Sequence, residues 1–181
     1  MPYSPASAPP GAVVKKTLLL HCSRDHAFRV FTQNMGRWWP ATHHVGDVPF
    51  RDILIEPRTG GRWYEISVEN AEGMWGHVLK WDPPHRLMLS WHLGPTFAFN
   101  PDLARASELD ISFHALGADE VRVEFEHRHI ERHGEGYEKL RERLDGGWVG
   151  VLAEFAKLAD PAALVAPANA APGNAAPGNA A

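Results

Sequence analysis

Residues 73–91 read G-M-W-G-H-V-L-K-W-D-P-P-H-R-L-M-L-S-W, two apolar, aromatic-rich runs hinged at Asp82-Pro83-Pro84-His85. Two adjacent prolines can neither continue a helix nor donate ladder hydrogen bonds, so this stretch is a strand, a tight turn and a second strand. Tryptophan recurs around the hairpin at Trp63, Trp75, Trp81 and Trp91, on three successive expected strands. That is more large aromatic surface than a plain sheet needs, and it predicts a wall around a cavity.

The same reading along the chain predicts strands over 13–21, 51–56, 61–68, 74–81, 86–93, 107–115 and 120–130. Ser23 is an N-cap with Asp25 in the first turn, followed by an apolar stripe of Phe28, Val30 and Phe31 on a helix ending near Asn34. A short second helix or turn carries Trp38-Trp39 and stops at Pro40. In the last strand, Val121, Val123, Phe125, His127 and His129 alternate with Arg122, Glu124, Glu126 and Arg128, so one face is solvated and the other covered. The covering element is a helix over 134–159, where Tyr137, Leu140, Leu144, Trp148, Val151, Leu152 and Phe155 recur at steps of three and four. Gly146-Gly147 in its middle predicts a bend or break and a close approach to the sheet.

A chain of 181 residues has the length of one domain, large enough to fold without a metal or disulfide. A net charge of -4 with scattered basic residues gives no stripe for phosphates, so nucleic acid is not expected as a partner. The single cysteine, Cys22, fits a small buried hydrophobe in a reducing compartment. Leu18-Leu19-Leu20 is too short to span a bilayer, and the N-terminus lacks the pattern of a secretory signal, so cytoplasmic location without membrane insertion is the default. The Pro/Ala/Ser-rich residues 1–11 and the A-P-G-N-A repeats of 160–181 predict a disordered leader and tail around a domain over 12–159.

The ordered set of motifs resembles a known superfamily. Its pieces are Phe31, Trp38-Trp39-Pro40, Glu56-Pro57, Gly60-Gly61-Arg62-Trp63-Tyr64, and Gly76-x-Val78-Leu79-x-Trp81-x-Pro83-Pro84-x-Arg86-Leu87. They continue as Leu89-x-Trp91, Ser107-Glu108-Leu109-x-Ile111-x-Phe113, Val121-x-Val123-x-Phe125-Glu126-His127-Arg128 and Gly146-Gly147-Trp148. Together, over about 13–159, they resemble the SRPBCC superfamily, also called START-like or helix-grip, in the branch named for the activator of heat-shock protein 90 ATPase. The resemblance implies an α+β fold of order β-α-α-β6-α, a curved antiparallel sheet wrapped around a long C-terminal helix with an apolar cavity between them. Relatives bind lipids, sterols, plant hormones or polyketides, some are cyclases, and the superfamily has no shared catalytic residue or cofactor. The chaperone activator itself carries a separate N-terminal domain for its partner, so a chaperone partner is not the leading expectation, and a chaperone ATPase-activator-like interaction module stays a further alternative. Relatives of this shape pair through exposed strands, which makes a homodimer one expected assembly.

The expected occupant of the cavity is a small apolar or aromatic molecule. The expected lining is Phe31, Trp38, Trp39, Trp63, Trp75, Trp91, Phe113, Phe125, His127, Trp148 and Leu152. An alternative is a cyclase or lyase, for which His127, Glu65 and His77 are the candidate acid and base groups. His127 sits on the covered face of its strand, either as a satisfied core histidine or as a reactive one. Glu65 shares a face with Trp63, but Tyr64, Ile66 and Val68 form an equally good apolar set, so the pattern leaves open which face looks inward. His77 shares that ambiguity, since Trp75 and Leu79 favour one orientation, Gly76 and Val78 the other. His43-His44 lies in an extended segment without an H-E-x-x-H or carboxylate triad, so it reads as a polar loop over the pocket mouth and no metal is expected. Several buried indole N–H groups need acceptors, which a partly polar ligand or water would supply.

Overall fold

The structure, a computed structural model, describes residues 12–160 and the backbone of 164–167. Its elements run β1 (Val14–Leu20), α1 (Arg24–Gln33), α2 (Met35–Trp38), β2 (Phe50–Ile55), β3 (Arg62–Ser67), β4 (Glu72–Asp82), β5 (Arg86–Trp91), β6 (Ser107–Ala115), β7 (Val121–Arg128), α3 (Tyr137–Ala159) and β8 (Leu164–Pro167). The strands form one antiparallel sheet in the order β2-β3-β4-β5-β6-β7-β1-β8. It curls around α3 in a helix-grip fold, with α1 and α2 inserted after β1.

Local sequence explains most of this. The Pro83-Pro84 stretch turns β4 into β5, closed by a His85 N–H donated to the Asp82 carbonyl at 2.8 Å. Ser23 caps α1 by accepting from the His26 N–H at 3.3 Å. On β7, Val121, Val123, Phe125 and His127 are all fully buried against α3, whereas Arg122 faces solvent. Trp148 of α3 packs on Phe125 with ring centres 4.4 Å apart, and Phe155 meets Phe31 of α1 at 5.0 Å and Trp38 of α2 at 5.4 Å.

Two expectations are corrected and one open question is answered. First, α3 is continuous through Gly146-Gly147. Leu144 and Trp148 on one side, and the Lys16–Asp145 ion pair at 2.6 Å on the other, hold the turn that two glycines weaken by about 1 kcal/mol each. Neither glycine serves a close approach to the sheet, because a Cβ added at either position would meet nothing within 4 Å. Second, the tail expected to be disordered from residue 160 contributes a strand at Leu164–Pro167, paired with β1, and Asp160 itself accepts from the His21 backbone N–H at 2.5 Å. The leader over 1–11 and the repeats beyond 167 lie outside the described residues.

Third, the open question about β3 and β4 has a structural answer. On β3 the inward face is Trp63, Glu65 and Ser67, all buried, while Tyr64 and Ile66 are half-buried and Val68 is exposed. On β4, Trp63 pairs with Gly76 and Tyr64 with Met74, which leaves Trp75 as the extra residue of a bulge. Leu79 is the extra residue of a second one, between the Val78–Leu89 and Lys80–Met88 pairs. Bulges re-aim side chains, so Trp75 and Val78 are both buried although an odd number of positions separates them. At Gly76 the backbone lies so close to the Ser90 carbonyl that no side chain fits.

Candidate functional site

Between α3, the β4–β5 end of the sheet and the segment after α2 lies a cavity of about 710 Å³. Its inner walls are Trp39, Trp75, Trp91, Leu93, Leu144, Trp148 and Val151. Its rim is Thr42, His43 and His44 on one side, Phe97 on another, and Glu142, Arg143, Gly146 and Gly147 of α3 on the third. Most rim residues are exposed and the walls are buried, so the cavity opens to solvent at one end.

The walls form one aromatic web. Trp39 contacts Trp75 at 5.1 Å and Trp148 at 5.8 Å, and Trp91 contacts Trp75 at 5.6 Å and Trp148 at 5.7 Å, mostly edge to face. Each wall indole spends its N–H on the protein. Trp39 donates to the His43 carbonyl at 2.9 Å, Trp75 to Glu65 Oε2 at 3.0 Å, Trp91 to the Leu93 carbonyl at 2.8 Å and Trp148 to His127 Nδ1 at 3.1 Å. The walls therefore offer carbon to an occupant, and the expectation that their donors await a ligand or water is corrected. Trp63, behind Trp75 and stacked on it at 5.5 Å, is the indole whose buried N–H has no protein acceptor.

Of the expected lining, Trp39, Trp75, Trp91 and Trp148 surround the cavity, while Phe31, Trp38, Trp63, Phe113, Phe125, His127 and Leu152 lie in the core behind it. The rim, from Thr42 to His44 and at Phe97, Glu142 and Arg143, was not among the expected contacts apart from the reading of His43-His44 as a loop over the mouth. Loop residues carry no periodicity, so nothing in the sequence places Phe97 there. Phe97 has a left-handed backbone (φ 57°) and lies under the Arg143 guanidinium at 4.5 Å, while Arg143 Nη1 donates to the Pro95 carbonyl at 2.9 Å.

The three candidate acid and base groups do not converge. His127 is fully buried, and both ring nitrogens are engaged, Nδ1 by Trp148 and Nε2 by Ser107 Oγ at 2.7 Å. Burial, and then the neighbouring His133, push its pKa down to about 3. His77 turns towards His92, ring centres 5.7 Å apart, and is absent from the cavity lining. Glu65 is 1% exposed and accepts at Oε1 from the Val45 and Gly46 N–H groups at 3.1 and 2.9 Å, and at Oε2 from Val45 and Trp75 at 3.1 and 3.0 Å. It is a buried carboxylate paired by N–H donors rather than by a cation. Cys22 is half-buried rather than fully buried as expected, and burial and then Asp160 push its thiol up to about 11, which leaves little thiolate near neutral pH. Among the described residues no group of three or more His, Cys, Asp or Glu side chains is placed to hold a metal ion, and no helix is long and apolar enough to cross a membrane.

Comparison with known proteins adds to this geometry. Residues 21–160 match the family described as Activator of Hsp90 ATPase homolog 1-like protein. Among solved structures, the anthrahydroquino-gamma-pyrone synthase Txn09, complexed with a molecule designated SUM, is 37% identical with a TM-score of 0.59, over 82% of this chain and 99% of that one. The self-sacrificing resistance protein CalC from Micromonospora echinospora is 28% identical with a TM-score of 0.62, over 83% of this chain and 96% of that one. The Aha1 dimer from Colwellia psychrerythraea, 12% identical with a TM-score of 0.57 over 82% of this chain and 96% of that one, shares the fold. No protein of curated function matches the sequence.

Proposed function

As this chain belongs to the Activator of Hsp90 ATPase homolog 1-like family, we propose that it binds a flat, mostly apolar aromatic molecule in the tryptophan-walled cavity. The observation that carries this reading is the saturation of the wall indoles: four rings present apolar faces and edges with every N–H already committed. Such walls favour stacking over hydrogen-bond recognition. The volume of about 710 Å³ lies within the roughly 300–1,000 Å³ of small-molecule sites. Polar groups occur only at the rim, so a ligand with one oxygenated edge sits with that edge outward.

A second reading, a ring-closing synthase acting on such a molecule, is favoured by the 37% identity to a pyrone synthase over nearly all of that protein's length. His127 does not serve it, because neither of its nitrogens is free. Native mass spectrometry of the protein from its own source tests both. A retained aromatic compound of one mass supports binding, and paired masses of a precursor and its ring-closed product support the synthase. A cavity that stays empty there, and that quenches no tryptophan fluorescence with any polycyclic phenol, overturns both.

A further inference from the structure

The aromatic-ligand reading makes no use of the His44 ring. We propose that His44 is the proton acceptor for a phenolic hydroxyl on the ligand's outer edge, with Glu65 as the positioning residue that fixes its loop. The proposal rests on the aromatic-ligand reading, and it adds a ligand class: phenols conjugated to a carbonyl.

His44 lines the cavity, and its Nδ1 lies 2.8 Å from the Gly46 carbonyl oxygen. A carbonyl oxygen only accepts, so Nδ1 carries the hydrogen, and in the neutral ring Nε2 is the nitrogen that keeps its lone pair. A neutral imidazole with one nitrogen tied to a backbone carbonyl is the basic tautomer held ready for a proton. The loop that sets this tautomer is fastened from below. The N–H groups of Val45 and Gly46, the two residues after His44, both end on Glu65. Across from them, a Cβ on Gly73 would come within 2.7 Å of Val45 Cγ2, so the loop sits flush against β4. Glu65 also holds Trp75, which ties the base's loop to a cavity wall through one carboxylate.

The charged and titratable neighbours are few. His43 precedes His44 in the loop, Glu142 and Arg143 of α3 share the rim, and Glu65 lies beneath the loop, bonded to the Val45 and Gly46 N–H groups. Arg143 is occupied by the Pro95 carbonyl and the Phe97 ring. In the proposed step the phenol O–H bond breaks, a bond forms between that proton and His44 Nε2, and the electron pair stays on oxygen. The products are an imidazolium and a phenolate. Simple phenols ionise near 10 and histidine near 6.5, so the transfer is favourable only for phenols acidified by a conjugated carbonyl.

The probe is alizarin, a dihydroxyanthraquinone that turns from yellow to red-violet as it ionises. Its bound spectrum is followed against pH with the full chain, with His44→Gln, with Glu65→Gln and, as a control, with His114→Gln at an exposed position of β6 outside the cavity. In the full chain the ionisation midpoint of the bound probe falls at least about one pH unit, or tenfold in acidity, below that in His44→Gln. His114→Gln keeps the low midpoint and Glu65→Gln loses it. If Glu65→Gln does not fold, the His44 and His114 variants decide alone. Equal midpoints in the full chain and His44→Gln, with the probe bound in both, overturn the proton acceptor and leave the cavity reading standing. Failure of the full chain to bind alizarin overturns the phenol class, and the proton acceptor with it.

Discussion

Behind the cavity wall, hydrogen bonds run inward from Trp148 to His127, then through Ser107 Oγ to His133 Nε2 at 2.8 Å. The indole can only donate, so His127 Nδ1 accepts, His127 Nε2 donates to Ser107, and the serine hydroxyl donates to His133. The chain has one direction and every imidazole in it is neutral. Burial, and then His133, hold His127 at about 3; burial, and then His92 and Arg105, hold His133 at about 4. With both folded values depressed below the ordinary 6.5, the unfolded chain binds more protons on acidification. Stability is therefore fully present above about 6.5 and is lost as pH falls towards the folded values. His127 alone accounts for about 2 kcal/mol between pH 7 and pH 5, and His133 adds to it in the same direction. Urea midpoints measured over that range should fall, and His127→Gln should flatten the dependence by about half. At this scale the sequence was partly legible. Strand alternation buries His127 correctly, but Ser107 and His133 are 20 and 26 residues apart from their partners in the chain, and no local pattern joins them.

Among the elements, α3 is where packing and cavity meet. Leu144, Trp148, Val151 and Phe155 point into the core, whereas Gly146 and Gly147 face the open side and line the mouth. Since a Cβ at either meets nothing within 4 Å, these glycines supply space rather than a bend. Gly146→Ala and Gly147→Ala should each stabilise the protein by up to about 1 kcal/mol, measured by thermal or urea unfolding. Gly147→Leu should leave stability intact while weakening the binding of a three-ring probe in a fluorescence titration. A glycine pair in a helical pattern reads as a breaker because helix propensity ignores what lies outside the helix. Strand β4 misleads in the complementary way: bulges at Trp75 and Leu79 break the period of two, so no alternation argument assigns His77.

For the whole molecule, one core joins all three helices to the sheet. The order of strands and helices was readable because hydrophobic period, Pro83-Pro84 and the Ser23 cap agree with one another. The eighth strand was not, because Leu164–Pro167 is only four residues long, too short for a period of two to show, and it ends in a proline beside the Ala/Pro/Gly/Asn repeats. Phe155 is fully buried where α1, α2 and α3 meet. Phe155→Ala should cost about 3–5 kcal/mol, with far-ultraviolet circular dichroism and tryptophan fluorescence still unfolding at one urea concentration. Two separate transitions would show that the helices and the sheet do not share a core.

Glu65 holds one rim of the cavity by hydrogen bonds to a buried side chain, while the opposite rim hangs on Arg143, an exposed side chain reaching over Phe97. The mouth thus has a fixed jaw and a movable one. For a guest of the proposed kind, the arginine side is the route that breaks no buried bond, so how long it stays and which guest is admitted would be set by different residues.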